Sequence, residues 1–182
     1  MPDYRYVGQD QGSLDCGFFA GYTLRLMQDT GGDVANLEMT QAEVYAARDR
    51  FFGSDASSPG QAGNQWLDYT DAPRYLDGIG VGGYWVEDMF SVRSTAGMLN
   101  RILNHLGRAN SQGIMVAQIG QLQHWVSILA IIPPNESEGI PQKLAIYDPG
   151  FRETSRVQAI DQDRIASALV NNLVGALIVS AS

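Results

Sequence analysis

The stretch Gln9-Asp10-Gln11-Gly12-Ser13-Leu14-Asp15-Cys16-Gly17-Phe18-Phe19-Ala20-Gly21-Tyr22-Thr23-Leu24-Arg25-Leu26-Met27 changes character at its cysteine. Up to Asp15 it is polar and turn-rich. From Cys16 onward apolar residues recur at helical offsets, with Phe19, Tyr22 and Leu26 on one stripe and Phe18 beside it. A helix therefore begins about where Cys16 sits. A thiol there lies at the positive end of the helix dipole, among first-turn amides that have no intrahelical acceptor. With a basic partner such a site can lower a thiol's pKa from about 8.5 toward about 3.5–7.5, and the same amides can stabilise an oxyanion. Gly17 leaves room for a substrate carbonyl to approach the backbone. The competing reading is a small buried hydrophobe. A lead-in containing Gln9, Gln11, Gly12 and Asp15 is too polar for an ordinary core entry and turns the reading toward function.

Downstream, Thr40-Gln41-Ala42-Glu43 is a capping box that opens a second helix running to about Phe52. Residues 53 to 63 are rich in Gly, Ser and Ala and form a loop. A short helix is expected from Pro73 and a short strand at Tyr84-Trp85-Val86. Ser94 or Thr95 caps a helix to about Leu106, with Met98, Leu99, Ile102, Leu103 and Leu106 on its buried face. After Gly113 the apolar runs shorten to strand length: 114–119, 124–132, 144–147, 156–160 and 173–179, interrupted by a helix from about Asp161 to Leu169. The expected fold class is α+β: a helical part over about residues 1–110, then a mainly antiparallel sheet over about 111–182, in one domain.

A nucleophilic thiol needs a base, and the chain has 2 histidines. His124 opens an apolar strand, where a side chain can face a cleft. His105 lies near a helix C-terminus, where capping the last carbonyls is ready structural work. Lys143-Leu144-Ala145-Ile146-Tyr147-Asp148-Pro149-Gly150 is a strand that ends in a carboxylate and a turn. If it pairs antiparallel with the strand from His124, through the connection 133–142, then His124 and Asp148 become neighbours. That arrangement suits a thiol–imidazole–carboxylate relay. The alternative for Asp148 is a turn bonded to its own backbone.

The three islands together resemble the papain-like cysteine peptidase superfamily, in the chain order Cys16, His124, Asp148. Asp15-Cys16-Gly17, His124-Trp125-Val126 and Tyr147-Asp148-Pro149 are similar to the bacteriocin-leader-peptidase group. Gly12-Ser13-Leu14-Asp15-Cys16-Gly17-Phe18-Phe19, His124-Trp125 and Ile146-Tyr147-Asp148 also resemble SUMO-deconjugating proteases, whose chain order differs by a circular permutation. The resemblance covers roughly forty residues. It implies a papain-like fold, with the cysteine helix packed on the sheet, and an oxyanion-hole glutamine about six positions before the cysteine. Gln11 and Gln9, five and seven before it, are the two candidates, with Gln11-Gly12-Ser13 nearer the papain-type start.

Composition narrows the partners. Cys16 is the only cysteine, so a disulfide framework within the chain and a multi-thiolate metal site are excluded. With 12 basic and 20 acidic residues the chain offers no cationic footprint for nucleic acid or an anionic membrane. Two histidines make no His-rich zinc site and the acidic residues no calcium loop, so no metal or cofactor is expected. Gly78-Ile79-Gly80-Val81-Gly82-Gly83 satisfies a dinucleotide-binding pattern without the strand before it and the helix after it that such a site needs; it reads as a loop bordering the cleft. Trp125, next to His124, reads as core.

The expected activity is hydrolysis of a peptide or isopeptide bond in a protein or peptide substrate. The alternatives are a bacterial toxin or effector acting as a glutamine deamidase or transglutaminase-like acyltransferase, and a catalytically silent binding module. Specificity is expected within residues 53–93. The N-terminal residues carry no apolar secretory stretch, which suits a cytoplasmic protein or one exported without such a signal.

Overall fold

A computed structural model describes residues 13–33, 38–53, 67–68, 70–89, 92, 94–108, 111–118, 124–150, 158–161, 164 and 174–181. The elements follow in the order α1 (Cys16–Asp29), α2 (Gln41–Phe52), α3 (Ala72–Gly78), β1 (Tyr84–Asp88), α4 (Thr95–Leu106), β2 (Ser111–Gln118), β3 (His124–Ile132), β4 (Lys143–Tyr147), β5 (Gln158–Asp161) and β6 (Val174–Ala181). A 3₁₀ turn, Glu136–Glu138, lies in the β3–β4 connection.

The helix starts follow local chemistry. Thr40 Oγ1 accepts from the Glu43 amide at 3.2 Å while Glu43 reaches back to the Thr40 amide at 2.8 Å, the reciprocal box the sequence predicts. Ser94, rather than Thr95, caps α4 by accepting from the Gly97 amide at 3.0 Å. Of the helix expected from about Asp161 to Leu169, Asp161 instead ends β5 and Arg164 is helical, and the other residues lie outside the described ones.

Among the described residues, six strands form one antiparallel sheet in the order β1-β6-β2-β3-β4-β5. The fold is α+β, as expected. The sheet also recruits β1, the short strand expected at Tyr84-Trp85-Val86, from the otherwise helical first part of the chain: Trp85 stands opposite Val179, and Asp88 opposite Ala176. Helices cover both faces. Trp125, Leu129, Ala145, Tyr147 and Ile178 pack into one cluster with α1, and Val126, Ile128, Leu144 and Ile146 into another with Met98 and Ile102 of α4. Alternation along β3 and β4 sends neighbouring residues to opposite helices, which is why these strands read as continuous apolar runs rather than as polar–apolar alternation.

The stripe expected on α1 is a correction. Phe18, Phe19, Ala20, Leu24 and Met27 are all buried, whereas Tyr22 and Leu26 are only partly so. A helix with the sheet on one side and α2 and α3 on the other is apolar around most of its girth. Phe18 faces away from the sheet, edge-on to Phe51, Phe52 and Tyr75, with centroids 5.7, 5.4 and 5.0 Å away. The Tyr75 hydroxyl donates to the Phe18 carbonyl at 2.9 Å. The polar contacts on the sheet side are as close: Ser127 Oγ donates to the Ala20 carbonyl at 3.0 Å, and Thr23 Oγ1 lies 3.4 Å from Ser127 Oγ.

Gly21 permits the approach of α3. A Cβ there would meet the Tyr75 ring at 2.8 Å, whereas one at Gly78 would meet nothing within 4 Å. Alanine for glycine in a helix gains about 0.5–1 kcal/mol, and overpacking costs about 1–3 kcal/mol. The clash wins at Gly21 and is absent at Gly78. Gly21→Ala is therefore expected to lower the melting temperature by roughly 2–6 °C and Gly78→Ala to hold or raise it, as calorimetry of the two variants will show.

Candidate active site

Cys16 is the first residue of α1. It is 3% exposed and belongs to the cluster that joins α1 to the sheet. The imidazole of His124 is close enough to interact with it. His124 is the first residue of β3, and its Nε2 donates to Asp148 Oδ1 at 2.6 Å. With Nε2 on the carboxylate, Nδ1 is the ring nitrogen left to face the thiol. Cys16, His124 and Asp148 are thus brought together, with His124 hydrogen-bonded to Asp148 and in reach of Cys16.

The hairpin accounts for this placement. β3 and β4 pair with Ser127 opposite Tyr147 and Ile128 opposite Ile146, so the start of one strand lies beside the end of the other. Asp148 follows directly. The two readings of Asp148 turn out to describe one arrangement, since the oxygen that meets His124 also accepts from the Gly150 amide at 2.8 Å. The turn aims the carboxylate. Gly150 has a second use that its place in the turn did not suggest: a Cβ on it would sit 3.2 Å from Asp148 Oδ1 and 3.3 Å from His124 Cε1. A side chain there would press on the pair, and its neighbours would have to give by a few tenths of an ångström.

Burial works against a charged His124, but the hydrogen bonds to Asp148 and Cys16, and then the attraction of their negative charge, outweigh it. The group is pushed up from 6.5 to about 10. With side chains 20% and 27% exposed, His124 and Asp148 keep an opening to solvent.

The neighbours of the two lead residues are tied to each other. Trp125 Nε1 donates to the Leu67 carbonyl at 2.7 Å, and a Cβ on Gly17 would lie 2.7 Å from Leu67 Cβ and 3.0 Å from the Trp125 ring. Leu67 is wedged between the residue after Cys16 and the residue after His124. Nothing in the sequence marked it. Trp125 is core, as expected.

No protein-family model matches the chain. No curated protein matches it. Among solved structures, the Pseudomonas avirulence protein AvrPphB is similar, with 12% sequence identity over 98% of this chain and 96% of that chain and a TM-score of 0.45.

Gln9 and Gln11 lie outside the described residues, as do residues 54–66 of the stretch expected to govern specificity. The glycine-rich loop 78–83 is a correction: it does not border the site. Arg25 Nη1 donates to the Gly80 carbonyl at 2.8 Å and Gln28 Nε2 to the Gly82 carbonyl at 2.6 Å, so the loop packs on the far half of α1. Nine residues of helix put Arg25 about 13 Å along the axis from Cys16. A helix precedes the loop and a strand follows it, the reverse of a dinucleotide site. His105 is also corrected: its Nε2 pairs with Glu87 of β1, not with the carbonyls of its own helix. Among the described residues, no group of three or more His, Cys, Asp or Glu side chains is arranged to hold a metal ion.

The raised value of His124 has a stability consequence. It lies above the 6.5 of an unfolded histidine, so the stabilisation is complete below about pH 6.5 and is lost as pH rises through about 10. In Asp148→Asn the largest hydrogen-bond contribution loses its charge. The wild-type melting temperature should fall more steeply than that of Asp148→Asn between pH 7 and about pH 10, and equal slopes would contradict the assignment.

Proposed function

We propose that this protein is a cysteine hydrolase of the papain-like type that cleaves a peptide or isopeptide bond in a protein or peptide substrate. One observation carries the reading: His124 is hydrogen-bonded to Asp148, with 2.6 Å between Nε2 and Oδ1, and lies in reach of Cys16. An imidazole held between a thiol at a helix start and an aimed carboxylate is the equipment of thiol acyl transfer. The likeness of the three short motifs to papain-like peptidases supports the same reading.

In the proposed reaction the Cys16 sulfur attacks the carbonyl carbon as a thiolate, with His124 as the imidazolium. The C=O electron pair moves onto oxygen, where the amide of Cys16 and the side-chain amide of Gln11 or Gln9 are assigned as donors. His124 passes its proton to the leaving nitrogen, the C–N bond breaks, and a thioester remains on Cys16. The neutral imidazole then takes a proton from water, whose oxygen displaces the sulfur. Acid product leaves, and the proton on His124 restores the ion pair. Asp148 fixes the ring so that Nδ1, not Nε2, meets the sulfur and the leaving group.

Intact-mass analysis of a peptide pool and of a glutamine-rich protein tests the reading. Fragments mean cleavage. A gain of about one mass unit per modified glutamine with no fragments would replace hydrolysis of the backbone by deamidation through the same thioester. Cys16→Ala should abolish turnover and His124→Ala lower kcat/KM by about 10²–10⁴-fold. If iodoacetamide labels Cys16 no faster than a free thiol, and His124→Ala leaves that rate unchanged, the protein is a silent module.

A further inference from the structure

Asp15 occupies the N-cap position of α1, immediately before Cys16. Aspartate is among the strongest N-caps because its carboxylate accepts from a first-turn amide. Here it makes no side-chain cap hydrogen bond. Asp15 Oδ2 instead accepts from Arg48 Nη1 of α2 at 3.0 Å, with the two side chains 1% and 7% exposed. Arg48 is itself held on several sides. Its Nε and Nη2 both donate to Asp49 Oδ1 at 3.0 Å, and its guanidinium lies over the Tyr45 ring, 4.5 Å from the centroid. The backbone of Asp15 is equally fixed, its carbonyl accepting from the amides of Phe18 and Phe19 at 2.9 and 3.2 Å.

We propose that the buried Asp15–Arg48 pair positions the nucleophile by holding the Asp15 carboxylate on the α2 side of the helix start, away from the amides and the thiol. This rests on the reading of Cys16 as nucleophile. A carboxylate capping the first turn would take the amide of Gly17 or Phe18 and so bring an uncompensated negative charge beside a sulfur that reacts as an anion. Arg48 removes this problem by neutralising the charge and drawing it away. Among the described residues, the charged or titratable groups linked to Cys16 include His124 from β3, Asp148 beyond β4, and, from the helix side, Asp15 with Arg48 and the Asp49 that shares it. Arg48 does not touch the reacting atoms; it acts through Asp15.

The rate of iodoacetamide alkylation of the full chain, measured against pH, tests this. Arg48→Met releases the carboxylate, and the curve should move to higher pH, with labelling at about pH 6.5 falling about tenfold, the equivalent of one unit. Arg48→Lys keeps the charge and should recover the rate to within about threefold of wild type. Asp15→Asn should move the curve to lower pH, and in the double variant Arg48→Met/Asp15→Asn the loss seen in Arg48→Met should be largely reversed. A mere strut behaves otherwise, since removing its second half restores nothing. A wild-type curve in Arg48→Met, or a double variant as slow as Arg48→Met, overturns the proposal. Should Arg48→Met not fold by circular dichroism, a loss well beyond threefold in Arg48→Lys, or an Asp15→Asn curve that does not move to lower pH, overturns it instead. His124→Ala separates the two levels: no effect there fells the nucleophile reading and this one with it, whereas a strong His124 effect beside a flat Arg48 series fells this inference alone.

Discussion

Ser127 donates a hydrogen bond across the middle of an apolar interface to the carbonyl of Ala20, and the alignment of α1 on the sheet depends on it. Both groups are buried, so sliding the helix by one residue would orphan a hydroxyl and cost about 1–3 kcal/mol. Apolar packing alone is less discriminating, because hydrophobic contacts re-form after small shifts. Thr23 beside Ser127 and the Leu67 carbonyl beneath Trp125 add fixed points on the same side. Since Cys16 is the first residue of α1 and His124 lies three residues before Ser127, this alignment sets where the sulfur meets the ring.

Two glycines make the alignment possible. Gly17 and Gly21 are one helical turn apart and both buried, yet they face different neighbours: Leu67 and Trp125 at the first, Tyr75 and Leu76 at the second. A side chain at either would push α1 away from one support. The helix is clamped between sheet and helices, and the end that carries Cys16 gains a defined place from contacts made along its whole length. The buried ion pair at Asp15 extends the clamp to α2. Such pairs stabilise little in net terms, because desolvation offsets their attraction, so a directional role suits this one better than a role in overall stability.

What was legible in the sequence was local. The Thr40–Glu43 box and the Ser94 cap bind within one turn, and the His124 to Asp148 hairpin spans a single connection, so residue type and spacing predict each of them. Long-range pairings left no such trace. Tyr84 lies opposite Ser180, and Asp15 meets Arg48 from 33 residues away; nothing near either position announces its partner. The α1 stripe was misread for a related reason. Periodicity assumes one buried face, and a helix enclosed on two sides has none to pick out. His105 was given a local task because its partner Glu87 belongs to a strand whose place in the sheet depends on the distant β6.

The same contrast explains why the residues around the proposed chemistry were harder to find than the chemistry itself. Cysteine, histidine and aspartate announce reactivity by side-chain type. Gly150 and Leu67 act through the absence or shape of a side chain, and Arg48 acts through a neighbour. Their value appears only when the distances are known: 3.2 Å from a would-be Cβ at Gly150 to the carboxylate, 2.7 Å from one at Gly17 to Leu67, and 3.0 Å from Arg48 to Asp15. An imidazole that must hold a proton for one partner and release it to another needs neighbours that do not move. In the proposed chemistry each of these residues limits how Cys16, His124 or Asp148 can move, directly or through a neighbour.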